Sequence, residues 1–212
     1  SHKFRFHHPL YSIDSTTIDL CLSVFNWARF RKRKGAIKLH CKLSHEGHLP
    51  VFCAMTDGKV HDIQAAKRYF PVEPDSILCM DKGYLDFQWL YSLHQRKAFF
   101  VTRAKENMNF RIIGQHQVSK NKYILRDNLI TLEGFYSTQN YPEPLRLIEY
   151  EDPETGIFYS FLTNHLGLSA KTIAEIYHQR WQIELFFKWI KQNLKIKTFL
   201  GTSKNAVMAQ VW

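Results

Sequence analysis

The sequence predicts an α/β fold, a mixed sheet flanked by helices. Three observations carry this. Short apolar runs alternate with helix-like segments through the first hundred residues, two strand-like runs near the start are joined by a turn, and a long helical pattern lies near the C-terminal end.

Taken in order, residues 10–18 form a strand candidate with Asp14 inside it. Residues 36–43 and 50–56 are a strand pair around the turn-forming HEGH. Residues 62–70 predict a short helix ended by Pro71, and 76–80 (SILCM) a buried strand, because that run is apolar without alternation. A helix over 87–95 and a strand over 98–102 follow. Residues 105–155 are more polar and lack helical periodicity; KYIL, NLITLEGF and LRLIEY predict strands separated by turns, a β-rich insertion. Residues 157–163 give a further strand. Ser169 is a good N-cap, and one helix is expected from 170 to about 195.

A chain of 212 residues, 45% of them apolar, supports one large domain or one domain with an insertion. Twenty-nine Lys and Arg against 19 Asp and Glu give a net charge of +10. That balance suits a polyanionic partner such as nucleic acid, or serves solubility alone. No run reaches the ~18 apolar residues of a membrane helix, and no signal peptide is visible. Cys21, Cys41, Cys53 and Cys79 form no CxxC pair and read as reduced core residues of a cytoplasmic protein. Zinc on His40, Cys41, His45 and His48 is disfavoured, because neighbours in a strand point to opposite faces.

Asp81 directly follows SILCM and precedes Lys82-Gly83-Tyr84, which puts it at a strand's carboxyl end; Asp14 lies in or at the end of the first strand. Ligands of open α/β sheets gather at such ends. A carboxylate in so apolar a setting is costly unless paired or bound to metal. Each Asp equally suits a cap on the following turn. Asp19, Asp57, Asp62 and Asp86 fall where turns or helix starts are expected, Asp62 as an N-cap.

On the long helix Tyr177, Arg180, Glu184 and Lys191 fall within a stripe about 60° wide and roughly 21 Å long, with Lys188 beside it. Ile176, Ile183, Phe187, Ile190 and Leu194 form a second stripe suited to packing on the sheet. The polar stripe is either a functional edge with Glu184 over the strand ends or a solvated face with ordinary ion pairs.

The string Y-HQ-R-WQI-E-LFFKWI-K resembles the Y-x2-R-x3-E-x6-K signature of DDE transposases of the insertion-sequence-four family. SIDSTTI and CMDKGY resemble the segments around that family's first and second Asp, and GAIKLHCKLS and TDGKVHD are similar to its intervening sequence. The resemblance implies a ribonuclease-H-like mixed sheet flanked by helices. It implies a discontinuous catalytic core over residues 1–104 and 156–200, a β-rich insertion over 105–155, and the start of a truncated C-terminal segment over 201–212. It implies Asp14, Asp81 and Glu184 as the catalytic, metal-binding acids for two Mg²⁺ or Mn²⁺ ions, and Tyr177, Arg180 and Lys191, with Lys188 beside them, as DNA contacts.

The expected reaction is cleavage at the transposon end by water, followed by attack of the freed 3′-OH on a second phosphodiester. The expected partners are double-stranded DNA, as terminal inverted repeats and as target, and a second copy in the full-length synaptic complex, on the bacterial nucleoid. The run RFRKRK, with Arg31, Lys32, Arg33 and Lys34, suits a phosphate clamp or a solvated loop. A plain nuclease of the same fold and a non-enzymatic, transposase-derived DNA-binding protein are the rival readings.

Overall fold

The computed structural model describes residues 4, 6–20, 29–31, 34–117 and 123–193, with backbone alone at 19–20, 29–31 and 34–35. The strands among them are β1 (Leu10–Leu20), β2 (Arg29–Arg31), β3 (Lys34–Ser44), β4 (Pro50–Asp57), β5 (Ile77–Cys79), β6 (Phe99–Arg103), β7 (Phe110–Gln115), β8 (Ile124–Leu132), β9 (Leu145–Glu151) and β10 (Phe158–Thr163). The helices are α1 (Asp62–Tyr69), α2 (Phe87–Gln95), α3 (Phe135–Asn140), α4 (Ala170–His178) and α5 (Trp181–Asn193).

All ten strands share one sheet in the order β2-β3-β1-β5-β6-β10-β9-β8-β7, with β4 also paired to β3. The centre, β1-β5-β6, is parallel, and the strands on both sides are antiparallel. The mixed sheet that the sequence predicts is therefore present.

SILCM is apolar throughout because both of its faces are covered. Leu78 and Met80 point to the side carrying Trp89, Leu90 and Leu93 of α2, whereas Ile77 and Cys79 meet Ile173, Ala174 and Ile176 of α4. Phe100 and Val101 of β6 divide between the same two faces. The sheet thus lies between helical layers, and α5 covers its β1–β3 end, where Ile183, Phe187 and Ile190 meet Ile18, Ile37 and Leu39.

The strands of 105–155 do not form a separate layer. They pair onto β10 and continue the same sheet. A buried bidentate pair, Arg146 with Asp127 at 2.6 and 2.7 Å, joins β9 to β8. Its remaining nitrogen donates to the carbonyls of His165 and Leu168, which lead into α4. The short helix α3 also interrupts this region, where the sequence pattern predicts strands and turns alone.

Two further expectations are corrected. The single helix from 170 is two helices, α4 and α5, separated at Gln179 and Arg180. Around the break the amides of Arg180, Gln182 and Ile183 donate three residues back, to the carbonyls of Tyr177, Gln179 and Arg180. Such a tightened turn is a frequent functional hinge. No Gly or Pro marks it, so periodicity alone reads through it. Positions 194 and 195 of the predicted helix lie outside the described residues.

Cys41 and Cys53 are not both reduced: they face one another across β3 and β4, with Cα atoms 4.2 Å apart, and are bonded as a disulfide. Cys79 is free and buried, as expected, and Cys21 lies outside the described residues. Among the described residues no helix is long and apolar enough to cross a membrane.

Candidate active site

Asp14 and Asp81 are brought together by strand register. β1 runs parallel to β5 with Ser12 opposite Cys79, and the same register continued by two residues sets Asp14 opposite Asp81. Neighbouring strands stand about 4.8 Å apart, so the two acids share one edge of the sheet. Glu184 stands in the first turn of α5, which packs on β1, near enough for its charge to act on Asp14.

Arg180, at the break between the helices, sits among these acids. Its Nη1 donates to Asp14 Oδ2 at 3.3 Å, and its Nη2 donates to Glu184 Oε1. The two acids predicted from a strand and a helix therefore stand around one guanidinium. The pair with Glu184 is the i,i+4 ion pair the stripe allows, whereas the bond to Asp14 is one that helical spacing does not disclose. The break explains it: a residue that leaves the helical spiral can turn down to the sheet.

Asp14 is the most perturbed acid. Burial first, and then the like charges of Asp81 and Glu184, push its carboxyl up to about 6, against lowering by the Ser15 amide and by Arg180. The Ser15 amide donates to Asp14 Oδ1 at 2.8 Å. Beneath lies Tyr84, 1% exposed, whose phenol is raised well above its usual range by burial and by the charges of Asp14, Asp62 and Asp81.

Asp81 does cap the following turn: its Oδ1 accepts the Gly83 amide at 2.6 Å. Capping and functional readings coexist, because that bond fixes one oxygen of the carboxylate. It also explains the glycine. A Cβ on Gly83 would stand 2.8 Å from Asp81 Oδ1. Gly83→Ala is therefore expected to displace the Asp81 carboxylate and slow metal-dependent cleavage by about 10- to 100-fold, the worth of a hydrogen bond to a charged group. Cleavage kinetics together with a melting curve test this; wild-type rates in the variant would detach Gly83 from the site.

The other predicted residues divide. Tyr177 is 9% exposed, its ring 4.8 Å from Phe161, and burial raises its phenol to about 12. It is packed more deeply than a DNA-contacting tyrosine on an outer stripe would be. Its ring also lies 5.7 Å from the Arg180 guanidinium and so flanks that side chain. Lys188 and Lys191 are exposed on α5. Arg31 and Lys34 belong to strands β2 and β3, and Lys32 and Arg33 lie outside the described residues.

Sequence reasoning misses Asp62. It is the first residue of α1 and caps nothing there; instead its Oδ1 accepts the Ser15 hydroxyl at 2.6 Å and pairs with Lys38 at 3.2 Å. Asp62 thereby ties down the residue whose amide holds Asp14. Its position after His61 in TDGKVHD is the only signal in the sequence, and it does not disclose a partner 47 residues away.

The donor set fits a hard divalent cation, which takes carboxylate oxygens in flexible numbers. The crowding of like charges on Asp14 is what such an ion would relieve. As the side chains stand, no three acidic, imidazole or thiol groups among the described residues converge on one point. Asp14 and Glu184 are spaced by Arg180. Because Asp14 carries a proton below about pH 6, an ion must displace that proton there. Apparent Mn²⁺ affinity is expected to fall about tenfold per pH unit below that value, with proton uptake by the buffer on binding. Calorimetry in two buffers measures both; a fall beginning only near pH 4 would contradict the raised pKa.

A mixed sheet flanked by helices, with Asp14 inside β1 and Asp81 just beyond β5, sets the class as a ribonuclease-H-like α/β fold. Residues 5–212 match the family model described as Transposase DDE domain, and the chain belongs to that family. It is similar to the transposase y4zB of Sinorhizobium fredii, at 34% identity over 94% of this chain and 56% of that protein. It is also similar to the transposase for insertion sequence element IS5377 of Geobacillus stearothermophilus, at 29% identity over 99% of this chain and 55% of that one. The chain thus spans about half the length of these relatives. Among solved structures, the piggyBac transposase in its synaptic complex with hairpin DNA superposes with a TM-score of 0.52 at 10% identity, over 95% of this chain and 44% of that one. That likeness shows the fold.

Proposed function

We propose that this domain is the catalytic core of an insertion-sequence-four-type transposase, cutting DNA at transposon ends and joining the freed 3′ ends to target DNA. The observation that supports the proposal is that Asp14 inside β1, Asp81 just beyond the parallel neighbour β5 and Glu184 in the first turn of α5 lie close enough for the charges of Asp81 and Glu184 to raise Asp14. In this reading the three carboxylates hold two Mg²⁺ or Mn²⁺ ions. Bound there, such ions stabilise the entering and leaving oxygens of an in-line phosphoryl displacement. The protein's own part is placement. Ser15, held by Asp62, orients Asp14; Gly83 orients Asp81; Arg180 balances the acids and offers a fork that suits a phosphate. Tyr177 supports the Arg180 side chain, while Lys188, Lys191 and the run at Arg31, Lys32, Arg33 and Lys34 supply sequence-independent phosphate contacts.

The same reading keeps residues 1–104 and 156–200 as the core and 105–155 as an insertion that prolongs its sheet. It makes two copies act together on paired ends, in the bacterial cytoplasm on the nucleoid.

The test is incubation of the full-length protein with DNA carrying the element's own inverted repeats and Mg²⁺, with products resolved on a denaturing gel. Ends cut to a 3′-OH and then joined to target are expected. Nicking without joining, at any sequence, would return the domain to the class of plain nucleases.

A further inference from the structure

The parallel register that aligns Asp14 with Asp81 extends one strand further. β5 pairs with β6 with Cys79 opposite Val101, and the Met80 amide continues that pairing by donating to the Val101 carbonyl at 3.0 Å. The Thr102 hydroxyl then donates to the Asp81 carbonyl at 3.1 Å. Two residues beyond Val101 is Arg103. By the same register Asp14, inside β1, stands in one row with Asp81, just beyond β5, and Arg103, at the end of β6, across three adjacent strands.

Arg103 opens onto a cleft of about 550 Å³ lined also by Lys82, Gly83, Lys105, Asn107 and Ser160. Glu106 is at its rim, exposed, and leaves the lining with an excess of positive charge. Most well-placed cations in this protein have acidic partners: Lys38 with Asp62, Lys42 with Glu73, Lys67 with Asp86, Arg146 with Asp127 and Arg180 with Asp14. Among the described residues neither Arg103 nor Lys82 has one within ion-pair distance. Arg103 is half-buried, with its guanidinium 5.2 Å over the Tyr159 ring, and so is held rather than free to wander. Lys105 is anchored from the other side by donation to the Leu85 carbonyl at 3.3 Å. A cleft whose lining carries three cations against the single acid Glu106, with Arg103 held over Tyr159, suits a bound anion.

We propose that Lys82, Arg103 and Lys105 form a phosphodiester cradle that holds the DNA backbone on the Asp81 side of the cleavage site. This rests on the proposed function, since it takes the acids as the place where DNA is cut. Exposed Lys188 and Lys191 lie on α5, beside Glu184. The row Asp14–Asp81–Arg103 leads away from that helix. A strand crossing the row would then be gripped on both flanks of the scissile phosphate, which fixes its direction over the site. Arg103 is the specific element, because its fork can take two phosphate oxygens, whereas the lysines act as point charges.

The experiment is fluorescence anisotropy of the full chain with two labelled probes, a random-sequence duplex and an oligothymidylate strand, over a salt series. Arg103→Ala and Lys82→Ala are each expected to weaken binding about tenfold near 0.1 M salt and to flatten the log–log salt slope by about 0.9 on the duplex or about 0.7 on the single strand. Arg103→Lys should keep the slope while losing part of the affinity. Loss on one probe alone supports the cradle and says whether it holds paired or unpaired DNA. Variants that melt like wild type and bind both probes with unchanged affinity and slope would overturn it. If Arg103→Ala fails to fold, exposed Lys82 decides the matter by the same measure. Wild-type protein that binds both probes but shows no metal-dependent cleavage would defeat the proposed function while leaving the cradle standing.

Discussion

Replacing Asp14 by Asn is expected to abolish metal-dependent strand cleavage and, in the same variant, to raise the melting temperature of the metal-free protein. The first effect follows from losing a hard oxygen ligand: several kcal/mol of transition-state stabilisation corresponds to a rate loss of roughly 10³-fold or more. The second follows from the cost of the charge. The folded-state pKa of Asp14, about 6, lies above its ordinary value of 3.8, so the folded protein binds this proton more tightly than the unfolded chain does. The group therefore favours folding at low pH, and stability is lost as pH rises from about 4 to about 6. At neutral pH the ionised group costs up to about 3 kcal/mol, less what its remaining exposure screens. Asn carries no such cost. Asp81→Ala and Glu184→Ala should share the loss of cleavage without an obligatory gain in stability. Cleavage assays and melting curves at pH 5 and pH 7.5, without metal, test the pair of effects together. An Asp14→Asn protein that cleaves, or one that melts well below wild type at neutral pH, would contradict the role given to this acid.

Local pattern made much of this fold legible. Leu78 and Met80 alternate with Ile77 and Cys79 across two covered faces, which is why a short run apolar throughout suits a buried central strand. The periodic apolar stripe of Ile183, Phe187 and Ile190 likewise points α5 at the sheet. Asp81 was readable as a strand-end acid and Asp14 as an acid within a strand, because strands and their ends leave a mark in apolar runs. Contacts between distant segments were not readable. The break at Gln179 and Arg180 has no Gly or Pro to announce it, and no helical wheel contains the pull of Asp14 on Arg180 from 166 residues away. Tyr177 consequently leaves the stripe that periodicity assigns to it and enters the core beside Phe161. Asp62 looks like a helix cap by position, yet its carboxylate is taken by Ser15 and Lys38. Cys41 and Cys53 become partners only through the β3–β4 register. Arg103 joins the row of Asp14 and Asp81 only once β5 and β6 are known to be parallel neighbours.

The Arg146–Asp127 pair shows why the strands of 105–155 bear on the site although they lie far along the sheet. By reaching the His165 and Leu168 carbonyls, Arg146 fixes the entry to α4, at whose far end the chain turns at Arg180. A buried pair broken on one side leaves an uncompensated charge. The strands of 105–155 and the α4–α5 pair are thus mechanically joined.

Arg180→Ala is expected to separate two duties of one side chain. In the metal-free protein the guanidinium is the counter-charge for Asp14 and Glu184, with side chains only 18%, 21% and 33% exposed. Its removal leaves those acids facing one another, so the metal-free variant should lose about 2 kcal/mol of stability, less than a fully buried pair would lose. Mn²⁺ should restore the loss, because the ion supplies the missing positive charge, and binding to the folded state raises the melting temperature by mass action. A double-mutant cycle with Asp14→Asn should show coupling, since the alanine costs less once Asp14 is uncharged. Catalysis should respond differently. A guanidinium beside Asp14 and Glu184 can hold a phosphate bidentately, which positions one defined bond for attack. Cleavage and joining at genuine transposon ends should therefore fall by about 10²- to 10³-fold even with Mn²⁺ saturating, the scale of removing one preorganised donor. Nicking of generic DNA should fall much less. The measurement compares both substrates at saturating Mn²⁺ in wild type and variant. Equal loss on the two would make Arg180 a counter-charge alone, and with it would go the reason for preferring an end-gripping transposase over a nuclease.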